Sequence, residues 1–170
     1  YTVVSQVLWQ PLPYPHGDRL AVVLQEGRGP VAPGVIVDLR EQVPAFDEVA
    51  AAELWGPTWT GGAHPERLPA MRVTPNLFAL LGVVPALGRA PGPNETRGIV
   101  LSHEIWQERF GGDPDIVGRE VPLDNETQPV LGVMAPSFVF SPFWARAEVF
   151  GVFDLTGKRN DRATSSLRTF

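Results

Sequence analysis

Gly98 to Met134 reads GIVLSHEIWQERFGGDPDIVGREVPLDNETQPVLGVM, and its punctuation decides the fold class. Ile99-Val100-Leu101 is a short apolar β-branched run, a strand by composition. Ser102 follows it as a helix N-cap, and Glu104 falls in the first turn, where the helix dipole favours a carboxylate. Ile105, Trp106 and Phe110 recur at spacings that share one buried face. Gly111-Gly112 stops the helix. Asp113-Pro114-Asp115 is a turn. Val117 to Met134 then alternates about Asp124-Asn125, which predicts a β-hairpin. Strand, helix and hairpin in immediate succession is the grammar of an α+β domain, not of a doubly wound parallel sheet.

Working outward, TPNLFALLGVVPALGR (Thr74–Arg89) repeats the pattern. Thr74 is expected to cap a helix with Pro75 at its first position. Leu77, Phe78, Leu80 and Leu81 form its apolar face, Gly82 ends it, and Gly88 makes a second turn. ERLPAMRV (66–73) leads into Thr74 as a strand, and GGAHPERL supplies a hairpin-like turn before it. AFDEVAAAELWGPTWT (45–60) reads as a strand broken at Gly56-Pro57. VIVDLREQ (35–42) has helical spacing, ended by Val43-Pro44. GRGPVAPG is a loop, and DRLAVVLQE (18–26) has the content of a strand. TVVSQVLWQPLPYP starts apolar and stops at Pro11, Pro13 and Pro15, a density that forces extended backbone. FVFSPFWARAEVFGVFDL is rich in aromatics, and the polar tail is expected to lead into one more strand.

The 170 residues suffice for one ordinary domain, which buries roughly 70% of its unfolded surface without a metal or disulfide staple. Hydrophobic residues are 44% and charged residues 19%, a globular balance. Gly and Pro together make about a fifth of the chain without any period, which implies many turns and short elements. The net charge is −5 and no basic stripe is present, so nucleic acid is not an expected partner. With no cysteine, thiol chemistry and Cys-zinc sites are excluded. No apolar run approaches the ~18 residues of a membrane span. The chain begins at Tyr1 without Met or a leader, and is expected to be a piece of a longer or processed protein.

Reactive constellations are scarce. His16, His64 and His103 are far apart and none has a second His at three or four residues, so no metal site is expected. Ser137, Ser141, Ser165 and Ser166 lie outside any G-x-S-x-G elbow. Asp113 and Asp115 could pair as carboxylates, but after a helix stop they read as turn formers. GRGPVAPG and GGDPDIVG lack the phosphate-binding patterns. Asn94–Thr96 and Asn125–Thr127 each match a glycosylation tripeptide that matters only in a eukaryotic secretory setting. No catalytic, cofactor-binding or metal residue is assigned, and no cofactor. The aromatic residues carry the one distinct signal. Trp55 and Trp59 flank Gly56-Pro57, and Phe138, Phe140, Phe143 and Trp144 fall within seven residues. They are candidate partner contacts, set against a core-packing reading that the strand-like alternation of Phe138 and Phe140 favours.

PLPYPHGDRL, TPNLFALLGVVPALGR, VLSHEIWQERFGGDPDIVGREVPLDNE and VLGVMAPSFVF, in that order, resemble the MacB-like periplasmic core domain of FtsX-like ABC transporter permeases, in the variety of acidobacterial duplicated orphan permeases. The resemblance spans Pro11 to about Phe153. It implies a two-lobed α+β domain: a porter-like βαβ lobe (about 12–66 with 137–170) and a small sabre-like α/β lobe (67–136). It implies a place outside the bacterial cytoplasmic membrane, between the first two membrane helices, with Tyr1–Gln10 as the outer end of the first. It implies a non-catalytic role in efflux-type transport, relaying motion from a cytoplasmic ATPase subunit through the permease helices to a periplasmic adaptor or exported substrate, in a permease dimer. The family continues beyond the position of Phe170, so part of the first lobe is expected to be cut. Its hairpin often carries Asp-Gly where this chain has Asp124-Asn125. A ligand-binding or sensory module built on the 138–144 aromatics is the alternative.

Overall fold

The computed structural model describes residues 14–15, 17–20, 32–44, 46–140, 146–155 and 167–169. Among the described residues, three α-helices, α1 (Pro33–Gln42), α2 (Leu77–Leu80) and α3 (His103–Phe110), accompany ten strands. These are β1 (Ala51–Trp55), β2 (Thr58–Trp59), β3 (Glu66–Arg67), β4 (Ala70–Val73), β5 (Leu87–Gly88), β6 (Ile99–Leu101), β7 (Glu120–Leu123), β8 (Glu126–Val133), β9 (Val149–Val152) and β10 (Leu167–Thr169). The mixture is α+β, as the punctuation predicts.

The strands form one path, β10-β1-β4-β9-β6-β8-β7-β2-β3, with β5 laid on β8. Among the described strands, only β4–β9 and β6–β8 are parallel. The path returns on itself. β2 continues β1 across Gly56-Pro57, and β3 continues β4 across Leu68-Pro69. Residues 51–59 and 66–73 are therefore one antiparallel ribbon, kinked where two prolines withhold their N–H groups. The Leu68 N–H donates to the Pro57 carbonyl at 2.9 Å and carries the pairing through the kink. The proximal half of the ribbon pairs with β9 and its distal half with β7. Long β8 serves both sides, β7 along its first half and β6 along its second. The result is a tightly curled sheet.

Side-chain alternation then assigns the cores. Ala52, Met71, Val73, Val100, Phe150 and Val152 face one side, under Leu77, Phe78 and Leu81 of α2 and its following turn and under Phe140. Phe78 meets Phe150 edge-on at 5.7 Å between ring centres. The opposite side carries Leu68, Ala70, Ile99, Leu101, Val121, Leu123, Val130 and Val149 inside the curl, closed by Ile105 of α3. At the β1 end of this side, Ile36 and Leu39 of α1 cover Val49, Ala51, Phe153 and Leu155.

The capping signals around α3 are realised. Ser102 Oγ accepts from the Ile105 N–H at 3.2 Å, and Gly111 is left-handed at φ 63°. A β-carbon would be strained there, which is why glycine ends this helix. The hairpin turns at Asp124 with φ 56°, and the Asp124 carboxylate accepts from the Thr58 N–H at 2.8 Å, tying the hairpin tip to β2. Asp113 Oδ1 accepts from the Asp115 N–H at 2.9 Å, so Asp-Pro-Asp is a turn.

Three expectations need correction. Thr74 is not a helix cap: its Oγ1 accepts from the Ala51 N–H at 3.0 Å, and its own N–H donates to the Ala51 carbonyl at 2.9 Å. The residue extends the β1–β4 ladder, and the helix behind it is a single turn starting at Leu77. Phe138–Phe140 is not a strand, although burial does alternate there. The strand expected from Asp18 begins instead as a 3-10 turn at Gly17–Arg19, and its remainder from residue 21 lies outside the described residues.

Candidate interaction surface

Of the six aromatic candidates, four are described. Phe143 and Trp144 lie outside the described residues. Phe140 is buried, and Phe138 is half-buried between Tyr14, Phe78, Phe140 and Phe150, with ring centres 5.8–6.4 Å away. The Tyr14 hydroxyl donates to the Val139 carbonyl at 3.2 Å and ties this strip to the N-terminal side of the chain. Beside it runs a cleft of about 280 Å³, reached by Tyr14, Val84, Ser137 and Phe138. Val84 and Val139 stand 78% and 64% exposed at its rim. An apolar rim of this kind on a folded domain is a candidate contact surface.

Trp55 and Trp59 sit on the other side of the sheet. Trp59 packs at a tilt against Phe110 of α3, ring centres 5.8 Å apart, and is half-buried. Trp55 lies across Gly151 of β9, where a β-carbon would come within 2.6 Å of the indole. The Arg72 guanidinium covers the indole 5.0 Å from its centre and reaches toward Glu53 at 3.9 Å. Next to Trp55, the kink of the ribbon holds a second groove, about 470 Å³, lined by Leu54, Trp55, Gly56, Arg67, Leu68 and Pro69. Leu54 is 61% exposed there. Sequence reasoning missed Leu54 and Arg67. Gly56-Pro57 and the paired Leu68-Pro69 were the signal, since a kink on both strands must open the surface between them.

The charged groups hold the frame. Arg89 grips Glu95 through both terminal nitrogens at 2.6 and 2.7 Å, and the Gly92 N–H donates to the same carboxylate at 2.7 Å. The Arg89 hydrogen bond, with help from Gly92, holds the Glu95 carboxyl below the usual carboxylate range against the opposing effect of partial burial. The Asp115 N–H and then Arg119 do the same for Asp113. Arg97 joins Glu120 and the Thr127 carbonyl at 2.8 and 2.7 Å, and Arg109 pairs with Glu66. His64 is exposed, His103 packs its ring against Trp106, and His16 is outside the described residues. Among the described residues no three His, Asp or Glu side chains converge as a metal site would require.

The sequence pattern of the MacB-like periplasmic core domain matches residues 6–166. No curated protein sequence matches the chain. Solved structures share the fold at low identity. A domain assigned to a permease protein of Porphyromonas gingivalis matches with TM-score 0.62 and 13% identity, over 84% of this chain and 68% of that one. The periplasmic region of MacB from Actinobacillus actinomycetemcomitans matches with TM-score 0.61 and 14% identity, over 91% and 69%. The extracellular domain of the ABC-type transporter YknZ from Gram-positive bacteria matches with TM-score 0.58 and 14% identity, over 79% and 69%. With its pattern matched almost end to end and its sheet of the same architecture, the chain belongs to the MacB-like periplasmic core domain family of ABC-type transporter permeases.

Proposed function

We propose that this domain stands outside the cytoplasmic membrane and relays movement of its permease's membrane helices to an adaptor or exported molecule, without chemistry of its own. The observation that carries the reading is the family match over residues 6–166. ATP hydrolysis would belong to a cytoplasmic subunit acting at a distance, and two permeases would work as a pair. No described helix is long and apolar enough to cross a membrane, so anchoring would come from segments flanking this domain. The lobes would divide near residues 66 and 137, residues 67–136 forming the sabre-like unit.

The curled sheet supports a mechanical role. A relay needs an element that moves as a body. Here β4 is hydrogen-bonded to β1 and β9, and β9 to β6, so the strands assigned to the two lobes share one ladder. The apolar rim at Val84 and Val139, together with the candidates Trp55, Trp59, Phe138, Phe140, Phe143 and Trp144, offers surface for the partner.

Spin labels test the relay in the complete permease with its ATPase subunit. One is placed at Val84 and one in a membrane helix. Trapping the ATP-bound state is expected to shift the distance between them. An unchanged distance distribution would remove the relay.

A further inference from the structure

β2, β3 and the turn between them form a strap that closes the curl by lying on β7 and α3. Its joints to the rest of the sheet are incomplete. In a regular antiparallel ladder every second residue pair exchanges two N–H···O bonds. At the seam, β2 meets β7 at the single register pair Trp59–Leu123, whereas β4–β9 and β7–β8 each pair over four residues. The Thr60 N–H donates to the Pro122 carbonyl at 3.4 Å, but Pro122 has no N–H to return. On the other flank the Asp124 N–H donates to the Thr58 carbonyl at 2.7 Å, and the Thr58 N–H goes to the Asp124 carboxylate rather than to its carbonyl. At the kink the Leu68 N–H donates to the Pro57 carbonyl, and Pro57 likewise returns nothing. Two further ties run to α3. Trp59 packs on Phe110, and Glu66 pairs with Arg109, but these charged side chains are 44% and 38% exposed, so the pair holds weakly. Residues 60–67 are exposed throughout, while Pro57 and Leu68 are buried.

We infer that the strap is a latch: it opens from β7 as a unit, pivoting on Pro57 and Leu68, while the ladder β4-β9-β6-β8-β7 stays closed. Pro122 points the same way. Proline in a sheet belongs on an edge strand, with its missing N–H turned outward. Pro122 turns that position toward β2, so β7 is built as an edge although the strap covers it. With the strap lifted, the bare side of β7 has no donor at Pro122, which blunts it against pairing with another chain. Segments with exposed backbone hydrogen bonds and little buried surface are the low-stability end of a fold, from which moving elements are drawn. Opening widens the curl and leaves intact the ladder that the two lobes share. The latch depends on the sheet's own hydrogen bonds and not on the relay, which the spin labels test separately.

Hydrogen exchange of the nitrogen-15-labelled chain, followed by NMR under native conditions, tests the latch. The Thr58, Thr60 and Asp124 amides are expected to exchange together. Relative to intrinsic rates, they should do so at least ~100-fold faster than the Met134 and Val152 amides, which donate to the Leu101 and Gly98 carbonyls inside the sheet. The Leu68 amide, at the pivot, is expected to stay as protected as those two. Arg109→Gln frees Glu66 and should speed all three seam amides by up to ~5-fold, Asp124 included, although Asp124 lies on the strand opposite the strap. Pro122→Ala supplies the missing N–H and should slow the three by about 2–10-fold relative to Met134. Exchange of the three at the rate of Met134 and Val152 overturns the inference, since the seam then opens only with the whole fold. So does loss of protection at Leu68 along with them, an Asp124 amide that ignores Arg109→Gln, or unslowed exchange in Pro122→Ala.

Discussion

Gly151→Ala offers a sharp test of the packing of Trp55, at the end of β1, across β4 onto β9. Gly151 sits in the middle of β9, opposite Arg72 of β4, and its backbone is not in the left-handed region, so alanine brings no backbone strain. The cost is steric. The new methyl would meet Trp55 at 2.6 and 3.1 Å, whereas carbon atoms prefer roughly 3.5–4.0 Å. Trp55 must therefore move by about 1 Å. It cannot do so freely, because Arg72 lies over its other face at 5.0 Å. Overpacking of this kind costs about 1–3 kcal/mol, and a loosened cation–π contact about 0.5–1 kcal/mol. The restriction of the unfolded chain returns about 0.4–1 kcal/mol. The net destabilisation is about 2 kcal/mol, which for a domain of this size lowers Tm by about 4–8 °C. Thermal unfolding followed by circular dichroism reads it directly. Combining Gly151→Ala with Trp55→Leu should recover at least 1 kcal/mol relative to the sum of the single variants, since the clash then has no partner. Wild-type Tm in Gly151→Ala, or strict additivity in the double variant, would refute the placement of Trp55 across β9.

Thr74→Val keeps the shape but leaves the buried Ala51 N–H without its acceptor, so chemical denaturation should show a loss of about 1–3 kcal/mol. Ser102→Ala removes the α3 cap and should cost about 1 kcal/mol, while Ser102→Asp should restore most of it. Glu95 has a folded-state pKa below its unfolded value of about 4.3, so the stability it adds is full above that value and is lost as pH falls through the folded one. Glu95→Gln should therefore be less stable than wild type at neutral pH, and urea midpoints of the two proteins should converge as acid takes the pH through the lowered folded-state pKa. Asp124→Asn keeps the oxygen that accepts from Thr58 and tolerates positive φ better, so it should be neutral or slightly stabilising, whereas Asp124→Ala should lower Tm.

What the sequence disclosed was local. Although the tie from the Asp124 carboxylate to Thr58 could not be read, the Ser102 cap, the Gly111 stop and the backbone turn at Asp124 each act within three or four residues, so they could be read in order along the chain. Gly56-Pro57 announced the break between β1 and β2 for the same reason. Thr74 misled because its hydroxyl was suited to a local helix cap and a tertiary partner, Ala51, took it. Strand order was not legible. Nothing near Val149 says that β9 lies between β4 and β6, since that depends on which apolar faces meet after the ribbon curls. Of the aromatic candidates, Phe138 and Phe140 alternate in burial, but they do so on irregular backbone held by Tyr14, Phe78 and Phe150. Arg67 was invisible as a groove residue, because its setting depends on a glycine eleven positions away and on a carboxylate, Glu66, already claimed by Arg109.

The side of the membrane on which this domain stands is open to a direct measurement. A single cysteine introduced as Val84→Cys in the complete gene product, with any cysteines outside these residues removed, gives a label site that is 78% exposed on a cysteine-free domain. A membrane-impermeant maleimide is added to cells whose outer barrier, where present, has been opened. The account predicts full labelling while the cytoplasmic membrane is intact. Labelling that appears only after that membrane is broken would contradict it.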